Sequence, residues 1–294
     1  VDFSASRPVL VTGASGTIGH HVVTDLLAAG AHVRSAGRDA RAATGPGGDR
    51  VAPVRFDFTD PTTWSGAFQG VEVMFLMRPP LLSNIARDMA PALVAAKSAG
   101  VRHVVLLSLQ GAETNRVVPH ARLEEWLRSS GLTWTFVRPS FFMENLTGAH
   151  VRDIRDRDAI LVPAGAGATS FVAASDVAAV AVAALLDPAA HTEVAWTPTG
   201  PQALTYDEVA AILSAELGRP ITYRHPGVLR YLVHARRTLG MPLPLVGITT
   251  AIYTLARLGR AAGLTDDVAA VTGRPPVGLA QWAHDHREAW RRDV

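Results

Sequence analysis

The chain has 294 residues, enough for one large domain or for a main domain with a smaller appended lobe, and 48% of them are apolar, which supports a sizeable core. A formal net charge of +2 gives no reason to expect nucleic-acid binding, and the basic residues are arginines apart from Lys97. With no cysteine, a disulfide scaffold, a thiol nucleophile and a thiolate metal site are all excluded.

The start, Val1 to Arg7, lacks the charged-then-apolar pattern of a signal peptide. Pro8 to Thr12 predicts a strand, and Ile18 to Ala29 a helix stopped by Gly30. His32 to Ala36 is a second strand and Arg41 to Arg50 a glycine-rich loop. Val51 to Phe56 is a third strand and Val71 to Met77 a fourth. Ile85 to Ser98 predicts a helix ended by Gly100, Arg102 to Ser108 a fifth strand, His120 to Ser129 a helix ended by Gly131, and Thr133 to Arg138 a sixth strand. Strands alternating with helices of this length give an α/β fold, a doubly wound parallel sheet of the Rossmann type. Its ligand crevice lies at the strands' carboxyl ends.

After Pro139 the rhythm changes. Phe141 to Arg157 predicts a helix, Ile160 to Val162 and Ser170 to Val172 short strands, and Ser175 to Leu186 a helix with Ser175 as N-cap. Glu193 to Thr197 is a candidate seventh strand of the main sheet. Helices dominate from Gln202, and Thr205 opens one that Gly218 ends. The expected division is a dinucleotide-binding core over residues 1–139 and about 175–198. A smaller, mostly helical lobe, about 140–174 and 199–294, caps the crevice. The apolar run Val172 to Leu186 contains Asp176 and is too short to span a bilayer, so a cytoplasmic protein with no membrane partner is expected. The oligomeric state is not legible.

The informative segment is Val11-Thr12-Gly13-Ala14-Ser15-Gly16-Thr17-Ile18-Gly19, which follows a predicted strand and opens a predicted helix. Gly13 permits the tight turn, Gly16 lets the main chain approach a pyrophosphate, and Gly19 lets the helix pack closely on the strand. The helix amino terminus offers free N–H groups to an anion, and Ser15 and Thr17 can add hydroxyl donors. Strand two runs into Arg38 without the acidic residue that would bond a ribose 2′-hydroxyl. Arg38, with Arg34 as a possible second donor, can instead meet a 2′-phosphate, so NADPH is expected ahead of NADH. Asp57 can accept from an adenine amino group with Phe58 beside the ring, or can simply cap a turn. Met77, Arg78 and Pro79 close strand four, where Arg78 can sense a phosphate or stand as a rim charge.

At this point the residues resemble the NmrA-like group of atypical short-chain dehydrogenases/reductases. The carriers are the Gly13 to Gly19 loop, Asp57 and Met77-Arg78-Pro79-Pro80. They continue with Leu107-Ser108-Leu109, His120 with Glu124, Arg138-Pro139-Ser140-Phe141-Phe142-Met143-Glu144-Asn145, Val162-Pro163-Ala164-Gly165, Phe171 to Ala178, Thr199-Gly200-Pro201 and Thr272 to Pro276. The resemblance implies a Rossmann core with a small C-terminal lobe and NADP(H) binding. Relatives include reductases of quinones, dyes and alkaloid imines, and regulators that bind the dinucleotide without chemistry. The wider superfamily uses Tyr-x-x-x-Lys. Here the corresponding helix carries His120 and Glu124, and no lysine follows Lys97, so that pair cannot form.

Three residues are therefore the candidates for catalysis. His120 can donate a proton, since a free imidazole titrates near neutrality. Glu124, one turn later, can orient it or form a surface pair. Ser108, at the end of strand five, can bind substrate or ribose or cap the strand. Pro139 is expected beside the nicotinamide, with Phe141, Phe142 and Asn145 forming the substrate pocket. No metal is expected, because His284 and His286 have no third ligand in register. The leading expectation is an NADPH-dependent reductase passing hydride to a small conjugated or aromatic molecule. A dinucleotide-sensing regulator and a cofactor-retaining isomerase or cyclase are the alternatives.

Overall fold

The computed structural model describes residues 7–39 and 48–292. Of the loop expected at Arg41 to Arg50, only Gly48–Arg50 falls among them, as one 3-10 turn; the rest of that loop, like residues 1–6, lies outside the described residues. In chain order the elements are β1 (Val9–Thr12), α1 (Thr17–Ala28), β2 (Val33–Gly37), β3 (Val51–Arg55), α2 (Trp64–Phe68), β4 (Val73–Met77), α3 (Ile85–Asp88), α4 (Ala90–Ser98), β5 (His103–Leu107), α5 (Pro119–Ser129) and β6 (Thr133–Val137). Then come β7 (Phe141–Phe142), α6 (Val151–Arg157), β8 (Ala159–Ile160), β9 (Thr169–Val172), α7 (Ala174–Leu186), β10 (Val194–Trp196), β11 (Ala203–Leu204), α8 (Tyr206–Leu217), β12 (Thr222–Tyr223), α9 (Val228–Arg237), α10 (Leu243–Arg257), α11 (Asp267–Thr272) and α12 (Leu279–Asp285).

The chain forms two compact units. One holds the residues up to Pro139 with Ala174–Pro198 and Asp267–Arg274. The other holds Ser140–Ala173, Thr199–Asp266 and the residues from Pro275 on. The first unit is a seven-stranded parallel sheet in the order β10-β6-β5-β4-β1-β2-β3. The order reverses between β1 and β4, which is where a doubly wound sheet opens its crevice. The central strands read as continuous apolar runs, Val9-Leu10-Val11 and Val104-Val105-Leu106-Leu107, because helices cover both faces. One core contains Leu10, Met74, Leu76, Leu93, Leu127 and Phe136, each fully buried and each contributing about 1.5–3 kcal/mol. The one polar intruder in β5 is His103. It is fully buried, and its ring nitrogens meet Thr133 Oγ1 at 2.9 Å and Thr135 Oγ1 at 3.1 Å. Burial pushes it down to about 4, so it sits there neutral.

The second unit has its own core. All four tyrosines of the chain, Tyr206, Tyr223, Tyr231 and Tyr253, are buried in it within ring–ring contact of one another. Thr205 caps α8 through a reciprocal pair, its hydroxyl accepting from Glu208 N and Glu208 accepting from Thr205 N, and Gly218 ends the helix at φ +62°.

Three expectations are corrected. Phe141 to Arg157 is not one helix: Phe141–Phe142 form β7 beside β9, a 3-10 turn follows at Met143–Asn145, and only α6 is helical. Ile85 to Ser98 is two helices broken at Met89, with Pro91 in the first turn of the second. Ser175 is not an N-cap, since α7 already begins at Ala174. No helix among the described residues is long and apolar enough to cross a membrane.

Candidate functional site

The carboxyl ends of β1, β2, β4, β5 and β6 gather the candidate residues within the first unit. Gly13 turns with φ +65°, and a Cβ on it would lie 2.0 Å from the Met77 methyl, so Met77 closes over the turn rather than standing free. A Cβ on Gly19 would lie 2.1 Å from the Gly13 carbonyl oxygen and 2.9 Å from Ala14 Cα, contacts no L side chain tolerates. On Gly16 the nearest contact would be 3.2 Å, tight but open outward. Gly16 is the N-cap of α1 and supplies no side-chain cap. The first backbone bond of the helix is His20 N to Gly16 O at 2.8 Å. The N–H groups of Thr17, Ile18 and Gly19 thus precede the ladder, and the exposed Ser15 and Thr17 hydroxyls flank them.

Three arginines stand immediately beyond strands of the main sheet, and they have different fates. Arg138, after β6, is buried and bidentate on Glu124, from Nε to Oε1 at 2.9 Å and from Nη2 to Oε2 at 2.6 Å, with Glu113 at 3.2 Å. Arg78, after β4, donates through Nη1 to the carbonyls of Pro79 (2.9 Å), Pro80 (3.1 Å) and Leu82 (2.9 Å). It is neither a phosphate sensor nor a rim charge with a free head, but the brace of its own loop. Its Nε is buried without an acceptor, and burial draws its charge below the usual arginine range. Arg38, after β2, is exposed and has no hydrogen-bond or ion-pair partner among the described residues; exposed Asp39 follows it. Arg34 is not available as a second donor, because its guanidinium is bonded to the Ala67 and Gln69 carbonyls at the end of α2.

Glu124 corrects the sequence expectation most sharply. It is not a surface pair: it is 1% exposed and accepts from Ser108 Oγ at 2.6 Å, from Arg138 twice and from Arg128 at 3.0 Å. Burial alone would raise its carboxyl, but hydrogen bonds from Arg138 and Ser108 and the arginine charges prevail, and it is held below the usual range. It orients Ser108 rather than bonding His120. Because Ser108 Oγ spends its proton on Glu124, what the hydroxyl can offer a ligand is acceptor lone pairs. His120 lies one turn earlier on the same face of α5, half-buried. Burial, with the Arg78 charge, pushes it down to about 4 against the opposing pull of Glu124. The expectation of near-neutral titration is overturned: the imidazole is neutral at pH 7.

Asp57 takes the capping alternative. Its Oδ1 accepts from Thr59 N at 2.8 Å and Thr59 Oγ1 at 2.7 Å. Phe58 is buried in the core with Phe56, ring centroids 4.7 Å apart, and not placed to pack on a base. Pro139 ends the first of the three segments of the first unit, its carbonyl accepting from Gln110 N at 3.0 Å. In the second unit, Phe141 packs on Phe171 and Tyr253, Phe142 takes the opposite face of β7, and Asn145 uses its backbone carbonyl on His150 N at 2.9 Å. Sequence reasoning left out Arg138 and Arg128 as site residues. The available signal was the position of Arg138, immediately beyond a strand's carboxyl end. Asp176 is fully buried and paired with Arg274 at 2.6 Å, a structural role within the first unit.

The arrangement fits a dinucleotide. It has a glycine cradle that a Cβ would fill, an uncapped helix amino end and an uncommitted arginine at the end of β2. The comparisons agree. The NmrA-like family matches residues 5–256. The NAD(P)H azoreductase of Xenophilus azovorans is 37% identical over 96% of this chain and 99% of its own length. Among solved structures, the Citrobacter sp. triphenylmethane reductase complexed with NADP(H) is 25% identical with a TM-score of 0.81, covering 95% of this chain and 99% of its own. The NADPH-dependent quinone oxidoreductase of Escherichia coli superposes with a TM-score of 0.85 at 24% identity, again covering 95% and 99%.

Proposed function

The chain belongs to the NmrA-like family, and from that premise we propose that it is an NADPH-dependent reductase that passes hydride to a small delocalised acceptor, a quinone, an azo or cationic dye, or an iminium. The matched azoreductase and triphenylmethane reductase support the class by their names. The observation that carries the acceptor type is the protonation state of the site. His120 is neutral and Ser108 Oγ is committed as a donor to Glu124, so neither supplies a strong acid. A simple ketone needs a proton as hydride arrives; a quinone or a dye cation spreads the incoming charge over its own atoms.

The cofactor supplies the hydride when bound. The protein's share is binding and orientation. The main-chain amides of Thr17, Ile18 and Gly19 receive the pyrophosphate, with Met77 fixing the turn beneath them. Arg38 receives a 2′-phosphate, which favours NADPH over NADH. Ser108, held by Glu124, accepts a hydrogen bond from ribose or acceptor. His120, neutral, donates one N–H hydrogen bond. Phe142 and Asn145 are assigned to acceptor contact, while Phe141 packs on the core of the second unit.

The test mixes purified protein and NADPH with a panel of quinones, azo dyes, triphenylmethane dyes and cyclic imines. Loss of reduced-nicotinamide absorbance is expected with at least one class and not with simple ketones. NADPH bound tightly but oxidised by no compound would favour the sensing regulator.

A further inference from the structure

Residues 217–265 contain seven arginines and no aspartate or glutamate, although 26 acids over 294 residues would place about four there. This segment carries α9 and α10, and their outer surfaces differ from those of other helices in the second unit. α10 is apolar on both its inner and its outer face. Val246, Tyr253 and Ala256 face the core, yet Leu245, Ile248, Ile252 and Leu255, spaced three and four apart, face outward, with Ile248 54% exposed. Its only charged residue is the last, Arg257. A water-soluble helix keeps charge on its outer face; one apolar on both faces is buried or lies in lipid. α9 lies against α10 through Tyr231, whose hydroxyl donates to Thr249 Oγ1 at 2.9 Å. The exposed surface of α9 mixes Leu229, 80% exposed, and Val233 with Arg230, Arg236 and Arg237. Arg230, Arg236, Arg237, Arg257 and Arg260 are exposed, and none has a carboxylate partner among the described residues, whereas Arg219 in the same segment is paired with Asp158.

From this geometry we infer that the outer surface of α9 and α10 docks on the anionic phospholipid surface of a membrane. Apolar side chains on short exposed helices, flanked by unpaired arginines, are the chemistry of interfacial binding. The apolar face enters the headgroup–acyl boundary while arginines meet lipid phosphates. Charge complementarity selects lipid: an acid-free, arginine-edged surface repels a second copy of itself. Whole-chain composition hides this feature, because 18 of the 26 acids precede residue 200 and average the net charge down to +2. Peripheral contact of this kind also places the chain where apolar acceptors concentrate, though it does not depend on the reaction proposed above.

The test is flotation of the purified full chain with vesicles of phosphatidylcholine alone or mixed with phosphatidylglycerol. The expected result is co-flotation with the mixed vesicles, weakened at least tenfold with phosphatidylcholine alone and by raising salt to several hundred millimolar. Two variants separate the contributions. Arg236→Gln with Arg237→Gln weakens binding on the order of 25-fold, about fivefold per cation. Ile248→Ser with Ile252→Ser and Leu255→Ser abolishes it, while circular dichroism and NADPH affinity stay unchanged because these side chains are exposed. Failure to float with anionic vesicles overturns the inference. So does sedimentation showing a lipid-independent dimer that the triple serine variant dissolves, which would give the surface to a second copy.

Discussion

Replacing Glu124 by glutamine is the most informative single change, because the structure sets both its size and its cause. The side chain keeps its shape, and an amide oxygen can still accept from Ser108, but the charge is gone. Arg138, with a side chain 10% exposed, is then left with Glu113 at 3.2 Å, itself half in solvent. Breaking a buried pair by neutralising one member costs about 3–5 kcal/mol, since the remaining charge stays desolvated. With a urea slope of about 2 kcal/mol per molar, the unfolding midpoint of the unit should fall by about 1.5–2.5 M. Urea titrations followed by circular dichroism measure it directly. The pH dependence supplies the sign check. The Glu124 carboxyl is held low in the folded protein, so its contribution is full above the unfolded carboxylate value. It is lost as pH falls from there through the folded value. Glu124→Gln should therefore lose that part of the acid limb. A midpoint within experimental scatter of the parent would show that the three arginine and serine contacts do not act as a charge network, and the reasoning would fail.

Three further outcomes are expected. Gly19→Ala forces its methyl against the Gly13 carbonyl, which must retreat by about 1 Å; overpacking of this kind costs about 1–3 kcal/mol, and NADPH affinity measured by fluorescence titration should fall at least tenfold. An unchanged dissociation constant would separate the loop from the cofactor. Arg38→Ala should weaken NADPH binding by about 2 kcal/mol, near 30-fold, while NADH binding changes little; equal losses would remove the 2′-phosphate assignment. His120→Ala should lower turnover with NADPH affinity nearly intact. Because the folded imidazole sits at about 4, turnover should show no inflection near pH 6.5, and NMR titration of His120 should find the low value; an inflection at 6.5 that the variant abolishes would restore it as an acid.

What could be read from the sequence was whatever rests on neighbours in the chain. The glycine spacing from Gly13 to Gly19, the strand–helix alternation and the capping box at Thr205 are local signals, and each strand of the main sheet lies within two residues of its expected bounds. What was misread depends on partners far along the chain. Phe141 and Phe142 have helix-like neighbours, and only pairing with Phe171 and Val172 makes them a strand. Glu124 has the spacing of an exposed helical pair, and only the arrival of Arg138, 14 residues later, explains its burial. Arg34 and Arg78 are positioned as anion binders but are consumed by backbone carbonyls that no motif announces. The break at Met89 was visible in principle, since Pro91 cannot sit mid-helix.

The junction of β1 and β4 has one more property. The two strands register only at Leu10 with Met74 and Val11 with Phe75. Beyond that, the Thr12 hydroxyl stands in for the missing rung, donating to the Phe75 carbonyl at 3.0 Å and accepting from the Met77 amide at 2.9 Å. A side chain used as a spacer lets two neighbouring strands part company without stranding any polar atom. The fissure at the heart of the sheet is thus written into the main fabric of the molecule by a single oxygen, and it stands ready before any guest arrives.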